Sequence, residues 1–154
     1  MPNELIGDRG DVQPGRDRRQ LPHHDLTPNS ETYAPPDYDF LDDRLELPIY
    51  DDGGHVLTYR QDIYRGKIVD FAIVRQYISA TRVFDVARID CCHGVIHRHV
   101  FNKKQEDLVD RQPIHEIVVD GSEWETVDAW FQYCVDKMEK EWAHNVRRWN
   151  DDWK

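Results

Sequence analysis

Beyond residue 54 apolar and polar positions alternate in short runs, the two-residue period of strands. "HVLTYRQDIY" (55–64) and "KIVDFAIVRQYIS" (67–79) flank Arg65-Gly66, a pair suited to a hairpin turn. The second run is apolar on both sides, with Val69, Phe71, Ile73 and Tyr77 on one and Ile68, Ala72, Val74 and Ile78 on the other. That pattern predicts a strand covered on both faces. "RVFDVARID" (82–90), "VIHRHVF" (95–101) and "PIHEIVV" (113–119) follow, giving about five antiparallel strands. The period then changes. Trp124, Val127, Phe131, Cys134, Val135, Met138, Trp142, Val146 and Trp149 recur at steps of three and four, behind Ser122 as N-cap and Glu125 as its capping-box partner. The sequence therefore predicts an α+β fold, an antiparallel sheet with one long C-terminal amphipathic helix on a face. So long a helix outruns the strands, so Trp142, Val146, Trp149 and Trp153 are expected to form a contact surface for a protein partner.

Composition divides the chain. Seven of its eight prolines and −8 of its net charge of −10 lie in residues 1–54. A proline-rich, charged segment poor in apolar side chains cannot offset its ordering entropy by burial. Residues 1–44 are expected to be disordered and "LELPIY" (45–50) a short anchor, giving an acidic tail over 1–50 and one domain over 51–154. The acidic balance argues against general nucleic-acid binding, which needs a basic face, while leaving room for a local site. No apolar run is long enough for a membrane span, and the N-terminus lacks a secretory layout. Three cysteines, two of them adjacent, make no disulfide framework, and a reducing cytoplasm is the expected location.

The densest chemistry is "RIDCCHGVIHRHVF" (88–101). With a two-residue turn at Cys92-His93, Arg88 opposes His97 and Val86 opposes His99. One face then gathers Arg88, Asp90, His97 and His99 on a floor of Phe84, Val86, Val95 and Phe101. Three readings compete. The histidines could be ordinary half-exposed strand residues. Cys91, Cys92, His93, His97 and His99 could ligate zinc, but structural zinc uses two spaced ligand pairs and no second one exists, so neither metal nor cofactor is expected. Or His97 and His99 could exchange protons with a phosphodiester as acid and base, with Asp90 orienting an imidazole. Arg88, His93, Arg98, Lys103 and Lys104 would then contact the substrate.

Arg88, Asp90, His93, Gly94, His97 and His99 resemble the R-Y-D-x-x-x-H…H-x-H block of the TumE-like toxin components of toxin–antitoxin systems. Ile89 stands where that pattern has an aromatic, and Cys91-Cys92 where it has small or polar residues. The resemblance implies a growth-inhibiting toxin neutralised by an antitoxin. The favoured expectation is a toxin-component-like cytoplasmic protein, with metal-independent ribonuclease activity at the hairpin face. Antitoxin or a second copy would bind the C-terminal helix, and RNA is the candidate ligand. The alternative is a non-enzymatic adaptor that binds a protein through its Trp-rich helix.

Overall fold

Six strands lie side by side in chain order in one antiparallel sheet: β1 (Asp43–Asp52), β2 (His55–Tyr64), β3 (Lys67–Ile78), β4 (Val83–Cys92), β5 (Val95–Val100) and β6 (Gln112–Glu116). Two helices follow, α1 (Glu123–Lys140) and α2 (Trp142–Asp151). This computed structural model describes residues 32–151; the expectations for residues 1–31 and Trp153 lie outside them. The α+β class is as the sequence predicts. The added strand is β1, drawn from the stretch read as the end of the tail.

Three hairpins use the same turn chemistry. Gly53-Gly54, Arg65-Gly66 and His93-Gly94 each place two consecutive residues at positive φ, the conformation that matches the twist of the flanking strands. Gly94 has a second reason to lack a side chain: a Cβ there would stand 3.1 Å from Thr32 Cγ2. Thr32 bridges to Val118, and the Tyr33 hydroxyl donates to the Val69 carbonyl, so residues 32–33 are tied across the sheet's end.

α1 covers one face of the sheet. Trp124, Val127, Phe131, Cys134, Val135 and Met138 form its buried stripe against Val69, Phe71, Ile73, Ala87, Ile89 and Ile96. Its start differs from the expected capping box. The Ser122 hydroxyl donates to Asp120, and Glu123, not Glu125, reaches back to the Gly121 N–H. The long helix also bends at Glu141. Arg75, wholly buried, donates to the carbonyls of Met138 and Trp142 and stacks on the Trp142 ring at 3.8 Å. Burial lowers its pKa to about 10, so it remains a cation at neutral pH. A buried guanidinium drawing on these carbonyls accounts for the bend, because it competes for the bonds that would keep the helix straight.

The bend returns the last turns to the sheet. Trp149, expected on a contact surface, has 0% exposure and packs on Phe84, Val86 and Tyr77. Trp142 and Val146 are half-buried. A bulge between β3 and β4 provides this second pocket: Arg75 pairs with Ala87 and Gln76 with Asp85, leaving Val86 as the extra residue. Phe84 and Val86 are thereby turned towards α2, away from the face where the sequence pattern placed them. Arg148 of α2 donates to the carbonyls of Phe101 and Val86, fixing the helix over the bulge.

Candidate functional site

The face away from α1 is ionic. Arg44 forks both carboxylate oxygens of Asp62 at 2.6 and 2.7 Å, and Arg60 bridges Asp62 to Asp70 at 2.6 and 2.9 Å. Cross-strand pairing continues this surface from Arg60 to Ala72, Asp90 and His97, one residue per strand. The β4–β5 turn is centred on His93-Gly94, not Cys92-His93, so Asp90 opposes His97 and Arg88 opposes His99. Moving a turn by one residue changes each pairing by two, which preserves the face and alters the partners. Arg88, Asp90, His97 and His99 are together, as expected; the register that put Arg88 opposite His97 is corrected.

His97 and His99 are 4% and 6% exposed. His97 Nδ1 lies 3.1 Å from the Val95 carbonyl, which can only accept, so this nitrogen carries the proton. His99 Nδ1 lies 2.8 Å from Asp107 Oδ2. Burial alone would raise the Asp107 pKa, but His99 and the N–H groups of Val109, Arg111 and Val100 hold it below the ordinary carboxylate value. Asp107 is therefore an acceptor and His99 Nδ1 is the donor. Desolvation lowers the pKa of His97, against the pull of Asp90. Both Nε2 atoms then lie near Asp90 Oδ1, at 2.9 Å for His97 and 3.9 Å for His99. That oxygen is buried and receives no hydrogen bond among the described residues. The other Asp90 oxygen is held by Arg88 Nε at 2.8 Å. His99 stacks on Phe101 with rings 6° from parallel, and the two imidazoles meet edge to face at 4.7 Å.

The remaining sequence candidates lie elsewhere. Arg98 faces the helices and pairs with Glu141 at 3.0 Å. The Lys103 ammonium lies over the Trp149 ring, while Lys104 and His93 are exposed in their turns. Cys91 is on the α1 side, across the sheet from His97 and His99, and burial pushes its thiol far above the ordinary range. His115 stacks on Trp130 at 4.3 Å. The residue that sequence reasoning missed is Asp107. Its carboxylate organises the loop between β5 and β6, in which Gln105, Asp110 and Arg111 adopt positive φ. A lone aspartate in an irregular loop has no periodicity to expose it.

No described helix is long and apolar enough to cross a membrane. Compared with known proteins, the chain matches no family model, no curated protein and no solved structure.

Proposed function

We propose that this protein is a phosphodiester-cleaving enzyme with RNA as its substrate class, centred on Asp90, His97 and His99 with Arg88 beside them. One observation carries the reading: two buried imidazoles, each with Nδ1–H engaged, turn bare Nε2 atoms to one point beside a half-exposed guanidinium. His99 is placed to act as the base. The Asp107 carboxylate on its Nδ1–H stabilises the positive charge that develops when Nε2 takes up a proton. Arg88 keeps N–H groups beyond the one facing Asp90, and these suit the non-bridging oxygens of a phosphate as charge builds on them. Burial of the pair fits chemistry performed away from bulk water. The toxin-component role implied by the resemblance, acting in the cytoplasm and silenced by an antitoxin, belongs to this proposal as its cellular expression.

The test pairs two assays, growth on inducible expression and cleavage of single-stranded RNA by the purified full chain. His99→Ala and Arg88→Ala should each lower the cleavage rate by about 100-fold or more with the fold intact by circular dichroism. A His97→Ala/His99→Ala variant that still cleaves at the wild-type rate would remove the assignment.

A further inference from the structure

The three convergent atoms present a problem that hydrogen bonding does not solve. Asp90 Oδ1, His97 Nε2 and His99 Nε2 are all acceptors once both Nδ1 atoms carry their protons. Acceptors facing one another across 2.9 Å repel unless something positive lies between them. A single proton on His97 answers only one of the two contacts, and that contact lies outside hydrogen-bond geometry. Arg88 is committed to the other carboxylate oxygen. A small cation would satisfy all three lone pairs at once.

We propose that Asp90, His97 and His99 hold one first-row divalent transition metal ion, of which Zn2+ is the representative. Donor atoms bound to zinc at ~2.1 Å in tetrahedral geometry stand about 3–3.5 Å apart. The observed 2.9 and 3.9 Å bracket that spacing, and the group as a whole, within 4.8 Å, closes on an ion by a small rotation of the imidazoles. Among the described residues these three form the group of His, Cys, Asp and Glu whose ligand atoms all lie within 4.8 Å of one another. Imidazole and carboxylate donors suit zinc and its neighbours better than magnesium or calcium. The outer contacts are those a metal-bound histidine needs: one Nδ1–H on a backbone carbonyl, one on a carboxylate, and an arginine setting the carboxylate's angle. Three protein ligands leave at least one position for water or a substrate oxygen. The metal proposal rests on the phosphodiester reading for its substrate class but replaces the proton-transfer role of His99 Nε2 given there: the imidazoles become ligands, and bound water would be the source of the nucleophile.

The test uses the full chain, stripped with a chelator and titrated with Co2+ and then Zn2+. About one equivalent of Co2+ should give visible d–d absorption that Zn2+ displaces, and Zn2+ should raise the melting temperature. His97→Ala, His99→Ala and Asp90→Asn should each abolish the cobalt spectrum, and Asp107→Asn should weaken binding by about 10–100-fold. Arg98→Ala, on the opposite face, should leave it unchanged. Failure of the wild-type chain to take up Co2+ or Zn2+, or uptake unaffected by the ligand variants, overturns the site. The two proposals separate cleanly. A chain that binds cobalt through these residues and leaves RNA intact keeps the metal and loses the nuclease. A chain that cleaves RNA at full rate after chelation, with no metal bound, keeps the nuclease and loses the metal.

Discussion

The two faces of this sheet come from alternating residues of the same strands, yet they accommodate polar groups in opposite ways. On the α1 face the intruding cations are matched: Arg75 by two carbonyls and a ring, Arg98 by Glu141. On the other face matching depends on position. Around β2 the order Arg44–Asp62–Arg60–Asp70 alternates cation with anion, as a structural network does. Around β4 and β5 one carboxylate oxygen of Asp90 faces the Nε2 atoms of both His97 and His99. Buried polar groups in folded proteins are normally paired, and at Asp90 one buried oxygen faces two imidazoles without a hydrogen bond among the described residues, so that cluster is where a ligand belongs.

The largest effect should come from the helical side. Trp149→Ala empties the pocket formed by Phe84, Val86 and Tyr77, and a buried tryptophan truncated to alanine typically costs about 3–5 kcal/mol. Urea denaturation measures it. A cost below 1 kcal/mol with a changed oligomeric state would return Trp149 to the contact surface that its sequence spacing suggested.

Next is the matched network, through pH. Burial raises the Asp70 pKa to about 6, against the opposing pull of Arg60. The folded state then holds a proton that the unfolded chain, with its carboxylate near 3.8, releases earlier. The contribution of Asp70 is therefore fully present below pH 4 and lost as pH rises through about 6. The full change is roughly 3 kcal/mol. Asp70→Asn should remove this decline from stability profiles measured between pH 4 and 7. An unchanged slope would place the charge effect elsewhere.

Arg75 comes third. Arg75→Met keeps the buried stem but removes the donors to the Met138 and Trp142 carbonyls. The expected loss is about 2 kcal/mol, with α2 loosened more than α1, measurable as faster amide exchange over residues 142–151. Uniform exchange would show that the bend at Glu141 does not depend on the guanidinium.

These three residues also show what the sequence could and could not convey. β3 reads as a strand covered on both faces, but only the side of Val69, Phe71, Ile73 and Arg75 is buried under the helices, while Ile68, Ala72 and Val74 on the ionic side are half-buried and Ile78 is exposed. The stripe from Trp124 to Met138 is visible because one helix face lies on one sheet. Gathering of the histidines with Arg88 and Asp90 survived an error in the turn, since parity does not change when pairing moves by two. What was hidden were departures from regular geometry. The bulge at Val86 reverses the sides of residues beyond it, and the bend at Glu141 turns Trp149 inward. Both follow from contacts distant in sequence. Asp107 was hidden for the same reason, as a loop residue whose importance lies in an imidazole eight positions earlier.

The smallest predicted effect has the opposite sign and bears most directly on the contrast between the two clusters. If acceptors face each other at the metal-free site, an amide at position 90 should fit it better than the native carboxylate. In Asp90→Asn the side-chain N–H can donate to His97 Nε2 after a small rotation that brings the 2.9 Å contact into hydrogen-bond geometry, while the remaining oxygen stays beside Arg88 Nε. The lost ion pair involves a half-exposed arginine and counts for little, about 0–1 kcal/mol, whereas the new hydrogen bond contributes roughly 1 kcal/mol and removes a repulsion. In chelator, Asp90→Asn should therefore equal or exceed the wild type in stability by up to about 1 kcal/mol. Adding Zn2+ should reverse the order, because only the wild type gains binding free energy. A site optimised for its ligand is often suboptimal when empty, and this reversal is its signature. If Asp90→Asn is instead destabilised by several kcal/mol in chelator, His97 carries a proton to Asp90 in the folded state, and the cluster is a matched ion pair like its neighbour around β2.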